Sequence, residues 1–77
     1  MKKLTNISLA DYRLFLEMMG CVCLRTKGGH EHWKREDLIR SLTLQNHLDP
    51  VPAFIIKQHL RYLNMSTQEF LTIIEKL

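Results

Sequence analysis

The feature that most limits how this chain can fold is the dipeptide Gly28-Gly29, set between two short segments of alternating character. Glycine supplies the positive φ that a two-residue hairpin demands, so the chain is expected to reverse there and pair with itself. Before the turn, Cys21-Val22-Cys23-Leu24-Arg25-Thr26 reads as a strand, with Val22 and Leu24 on one face and the cysteines on the other. After it, residues 30–35 resume as a second strand. Glu36-Asp37 is a weaker turn. Residues 38–45 follow as a third strand, with Leu38, Leu42 and Leu44 on one face and Ser41, Thr43 and Gln45 on the other. Arg40 interrupts the inner row, which puts it near a strand end or edge.

Helical patterns flank these strands. Ser8 is an N-cap and Asp11 suits the positive end of a helix dipole. Leu9, Tyr12, Leu16 and Met19 recur at helical spacing, Phe15 widens the stripe, and Gly20 is a stop, so a first helix covers about residues 9–19. Asn46 to Pro52 is a loop, and Pro52 suits the first turn of a second helix. Ala53, Ile56, Leu60 and Leu63 form the apolar stripe of that helix, which ends at Asn64. Ser66-Thr67-Gln68-Glu69 is a capping box, and Phe70, Ile73, Ile74 and Leu77 give the last helix its buried face. The result is an α+β domain spanning residues 1–77, a three-stranded antiparallel sheet with helices on one face.

At 77 residues the core is thin, and there is no room for a Rossmann or barrel scaffold. Any active site is shallow and open. Eleven Lys and Arg against eight Asp and Glu leave a net charge of +3, which suits a nucleic-acid ligand without demanding one. Cys21 and Cys23 stand too close in sequence to staple distant segments, so a reducing compartment is the simpler reading. Thr5, Asn6, Ser8 and Asp11 break the apolar run a signal peptide needs after Lys2-Lys3, and nothing approaches a membrane span. A cytoplasmic protein without membrane contact is expected.

The stretch Lys27-Gly28-Gly29-His30-Glu31-His32-Trp33 carries the chemistry. The two glycines let backbone N–H groups approach a ligand, and Lys27 supplies charge for a phosphate. His30, at the hairpin rim, can take a proton from a ribose 2′-OH or give one to a leaving 5′-oxygen, although a Gly-Gly turn followed by histidine is more often only a turn. His30 and His32 share a strand face, which can bind zinc if His47, Cys21 or Cys23 completes the set, but the spacing matches no familiar zinc module and no metal is expected. Trp33 either stacks a base or fills the core. Lys27, Lys34 and Arg35, with Arg25, form either a basic ridge for phosphates or a solvated strand end. His47 is a site-edge residue, and His59 reads as a helix-face histidine of no special role.

On these residues the chain resembles the HicA-family toxins of HicA–HicB toxin–antitoxin systems. The resemblance covers about residues 9–75 and rests on Gly20, on Lys27-Gly28-Gly29-His30, on His47 after the third strand, and on Ser66 to Phe70 opening the last helix. It departs in four places. Gly29 stands where the family has Ser or Thr, Gln45 where it has proline, His32 where an apolar side chain is common, and the 36–38 turn has no glycine. The resemblance implies a double-stranded-RNA-binding-domain-like fold, α-β-β-β-α with an extra helix. It further implies an mRNA interferase that uses no cofactor and is capped by a HicB-like antitoxin. The family's catalytic histidine matches His30. Lys27, Gly28, Gly29, Lys34 and Arg35 would then contact the RNA, with His32 or His47 as the second acid or base. The alternative is a non-catalytic domain of the same fold that binds RNA or the antitoxin.

Overall fold

A computed structural model describes residues 2–77. Among the described residues the chain forms α1 (Leu9–Met18), β1 (Val22–Lys27), β2 (His30–Lys34), β3 (Leu42–Gln45), α2 (Ala53–Tyr62) and α3 (Thr67–Ile74). The strands make one antiparallel sheet in the order β1-β2-β3, so the architecture is α+β.

Local chemistry sets the helix ends. The Ser8 side chain accepts from the Asp11 N–H and starts α1. Gly20, at φ 84°, ends it: the Gly20 N–H donates to Glu17 O and the Cys21 N–H to Leu16 O. This is a Schellman closure, and it withdraws Cys21 from the strand expected to begin there. Asn64, at φ 54°, closes α2 in the same way, with the Met65 N–H donating to Leu60 O. Pro52 is the N-cap of α2 rather than its first helical residue. Both halves of the Ser66–Glu69 capping box are formed. Leu77 lies beyond α3 and is exposed, not part of its buried face.

The hairpin reverses at Gly28-Gly29, with Lys27 opposite His30. Gly28 takes φ 61° and Gly29 does not have positive φ, the pattern of a type II′ turn. The third strand is shorter than the expected 38–45. The Leu38 N–H donates to Arg35 O, and the Lys34 ammonium donates to Leu38 O, so residues 36–41 form a turn and an irregular loop. Leu38 is buried all the same, as an anchor of that loop, while Ile39 next to it is almost fully exposed.

Tyr12, Phe15 and Leu16 of α1, Ile56 and Leu60 of α2, and Phe70 and Ile74 of α3 meet Trp33, Leu42 and Leu44 of the sheet in one core. Phe15 and Phe70 pack edge to face at 4.7 Å. Both are fully buried, and truncating Phe70 to Ala would cost about 3–5 kcal/mol. The 46–52 loop is tied to the start of α1: the Leu9 N–H donates to Asp49 Oδ1, and the Val51 N–H to Ile7 O. Every residue of β1 is exposed, so Val22 and Leu24 have no covered face. β1 is an edge strand, with an irregularity between Cys23 and Arg25 that leaves Leu24 without a partner in the register. No helix among the described residues is long and apolar enough to cross a membrane.

Candidate functional site

A strand sends alternate side chains to opposite faces. Glu31 and Trp33 of β2 are buried with Leu42 and Leu44 of β3, so the helices cover that face. His30, His32 and Lys34 therefore occupy the other, open face, with Thr43 and Gln45 beside them. The register adds Lys27 opposite His30 and Arg25 opposite His32. Two histidines and three cations thus share one face. His30 is exposed and His32 half-buried.

The expected RNA-contacting residues divide under this geometry. Lys27 and Arg25 are exposed and make no ion pair among the described residues. Lys34 lies on the open face, but its ammonium is held by the Leu38 carbonyl. Arg35 is a strap: its Nη1 donates to Met19 O at 2.7 Å, and its Nε and Nη2 hold Asp37 at 2.5 and 3.0 Å. It ties the end of α1 to the turn after β2. Gly28 has open space where a Cβ would lie. Gly29 does not: a Cβ there would stand 3.1 Å from His47 Nδ1, so the His47 ring packs against the hairpin backbone. His47 itself is exposed.

Trp33 is buried and belongs to the core. Its Nε1 donates to Glu31 Oε1 at 3.0 Å. Glu31 is a buried carboxylate on the core face that also accepts from Arg13 Nε at 3.2 Å and from Arg13 Nη2. The Arg13 guanidinium, followed by the Trp33 indole, holds the Glu31 carboxyl below the usual range despite its burial.

His59 is buried, not an idle helix-face residue. Tyr12 Oη lies 2.7 Å from its Nδ1, and its Nε2 lies 3.0 Å from Thr43 O. Burial lowers its pKa to about 4, so the ring is neutral at pH 7. Cys21 and Cys23 are free thiols. Burial pushes the Cys21 thiol up, whereas Cys23 is exposed on the edge strand. Among the described residues, no three His, Cys, Asp or Glu side chains group closely enough to hold a metal ion.

The open face thus offers imidazole, ammonium and guanidinium groups on a rigid sheet, a combination suited to holding a phosphodiester and moving protons around it. Comparison with known proteins finds no matching family, curated protein or solved structure.

Proposed function

We propose that this chain is a metal-independent endoribonuclease, a toxin of the HicA kind that cuts mRNA in the cytoplasm and is held inactive by a HicB-like antitoxin. The observation that carries the reading is the position of His30: exposed at the first residue of β2, directly opposite Lys27, one residue past the Gly28-Gly29 turn. Lys27 would offset charge on a bound phosphate, and the backbone N–H groups of the glycine turn would add to it. His30 would move a proton to or from a ribose or phosphate oxygen while the neighbouring 2′-OH attacks phosphorus. The helix, three strands and closing helices, with the sheet in the order β1-β2-β3, support a double-stranded-RNA-binding-domain-like fold. An antitoxin that covered His30 and the cations beside it would block the site.

The test is incubation of the protein with a long mRNA in EDTA, wild type beside His30→Ala. Cleavage by the wild type alone supports the reading. No cleavage by either folded protein redirects it to a domain that binds RNA or the antitoxin without cutting.

A further inference from the structure

His30 needs a partner, because one group must take the 2′-OH proton and another must supply a proton to the departing 5′-oxygen. Two histidines stand near it, and the geometry separates them.

His30 and His32 are two residues apart on one extended strand and on the same open face, so their Cα atoms are about 7 Å apart. An in-line displacement asks for that separation. Two ring nitrogens, each hydrogen-bonded at about 2.8 Å to oxygens on opposite sides of one phosphorus, stand on the order of 6–8 Å apart. The register places the pair in two adjacent rows. Lys27, His30 and Gln45 form the first, and Arg25, His32 and Thr43 the second.

His47 follows β3 in the loop and packs against the turn, outside the rows that hold the two strand histidines. A Cβ built on Gly29 would point at it, 3.1 Å from Nδ1, and would also meet Asn46 Oδ1 at 3.6 Å. Asn46, just before it, is tied by its N–H to Gly29 O at 2.8 Å, so this loop closes on the turn rather than on the histidine rows.

Resting on the ribonuclease reading above, we propose that His32 is a catalytic residue, the acid–base partner of His30 in a two-histidine pair on the open face of the sheet, and that His47 is not. One imidazole takes the 2′-OH proton. The O2′–P bond forms, the P–O5′ bond breaks, and the second imidazolium gives its proton to O5′. The products are a 2′,3′-cyclic phosphate and a 5′-hydroxyl, with no water or metal consumed. Arg25 and Lys27 from β1 are the charged groups opposite the two rings; Lys34 of β2 shares their face with its ammonium held by Leu38 O, and β3 contributes only the uncharged Thr43 and Gln45.

The experiment follows cleavage of a fluorogenic single-stranded oligoribonucleotide in EDTA from pH 5 to 9, using wild type, His30→Gln, His32→Gln and His47→Gln. His30→Gln and His32→Gln are each expected to lose at least about 100-fold in kcat/KM and one limb of the bell-shaped profile. His47→Gln is expected to stay within about threefold of wild type with both limbs intact. A second substrate carries sulfur in place of the bridging 5′-oxygen. A thiolate leaves without a proton, so one of the two crippled variants regains its rate on this substrate and the other does not. The ratio of rates on the two substrates is independent of how much of a variant is folded. Rescue of both variants or of neither overturns the pair. So does a His32→Gln enzyme that keeps both limbs while His30→Gln is inactive, and in that case the ribonuclease reading stands. A loss in His32→Gln matched by equal weakening of binding to the unreactive 2′-deoxy oligonucleotide also overturns it. A wild type that does not cut removes both the pair and the reading beneath it.

Discussion

Tyr12 Oη donates to His59 Nδ1 across 2.7 Å in the middle of the core. The direction follows from the other end of the ring. His59 Nε2 lies 3.0 Å from Thr43 O, a carbonyl that can only accept, so Nε2 carries the proton and Nδ1 is bare. One imidazole on α2 thereby joins α1 to β3. The Asn46 N–H donates to Gly29 O, which turns the even-numbered residues of β3 toward β2 and leaves the Thr43 carbonyl on the outer edge of the sheet. His59 is what satisfies that edge.

Tyr12→Phe keeps the ring packing and strips the donor, leaving a buried nitrogen unpaired. The expected loss is about 1–3 kcal/mol in urea unfolding. His59→Leu removes both bonds and strands the Thr43 carbonyl. If the pair acts as described, the double variant loses less than the sum of the two single losses, with a coupling of about 0.5–3 kcal/mol. Strict additivity would refute the bond.

The same ring makes stability depend on pH. His59 titrates near 6.5 when exposed and near about 4 when folded, because burial opposes the charged form. As pH falls through 6.5 the unfolded chain takes up this proton and the folded chain does not, so the unfolded state gains. The contribution is full above pH 6.5 and is lost progressively down to about pH 4, amounting to about 3 kcal/mol. Glu31, whose carboxyl is held low by Arg13, adds a second loss that sets in as pH falls through the ordinary carboxylate range and continues below it. Urea midpoints measured from pH 7.5 to 4.5 should fall steadily in wild type and much less in His59→Leu.

How far these features can be read from sequence depends on how local their cause is. Ser8, Gly20, Asn64 and the Ser66–Glu69 box act on neighbours in the chain, and the helix ends fall where they stand. The alternation of Leu38, Leu42 and Leu44 reports burial correctly but not the strand start, because a loop anchor and a strand residue share that spacing. His59 carried a usable signal: it is three residues after Ile56 and four before Leu63, on the buried side of its helix. Glu31 carried less. Its alternation with Trp33 points inward, yet its cation sits eighteen residues earlier on another element, and only the folded chain brings them together. Likewise, nothing in Lys34-Arg35 distinguishes a free phosphate contact from a strap on Met19 and Asp37.

Arg13→Ala should expose that dependence. It leaves the Glu31 carboxylate on the covered face with the Trp33 indole but without its cation. The expected cost is about 1–3 kcal/mol. Pairing Arg13→Ala with Glu31→Gln should recover part of it, because the neutral amide no longer needs the guanidinium. Thermal or urea unfolding of the three variants decides the matter, and a double variant weaker than Arg13→Ala would count against it.

The two glycines of the hairpin should respond differently. Gly28 sits at φ 61° with open space around it, so Gly28→Ala is resisted by backbone strain alone, about 1 kcal/mol or more. Gly29 has no such φ, and its constraint is the His47 ring. That ring is exposed, so a surface substitution that displaces it, Gly29→Ser, should cost less than about 0.5 kcal/mol while shifting the His47 resonances in an NMR spectrum. Equal losses at both positions would mean that the His47 contact is as firm as the turn.

The basic residues near the hairpin should separate into two classes. Lys27 and Arg25 lie on the open face without ion-pair partners among the described residues. If they meet phosphates, each change to Ala should reduce the slope of log affinity against log salt by about 1 and leave the unfolding midpoint close to wild type. Arg35 already spends its donors on Met19 O and Asp37. Arg35→Ala should therefore leave the salt slope unchanged and lower stability instead, by about 0.5–2 kcal/mol, through loss of the bond that ties α1 to the β2–β3 turn. Titration of a 2′-deoxy oligonucleotide at several salt concentrations, beside urea unfolding of the same three variants, reads both quantities. A reduced slope in Arg35→Ala would place that guanidinium on the RNA rather than in the fold.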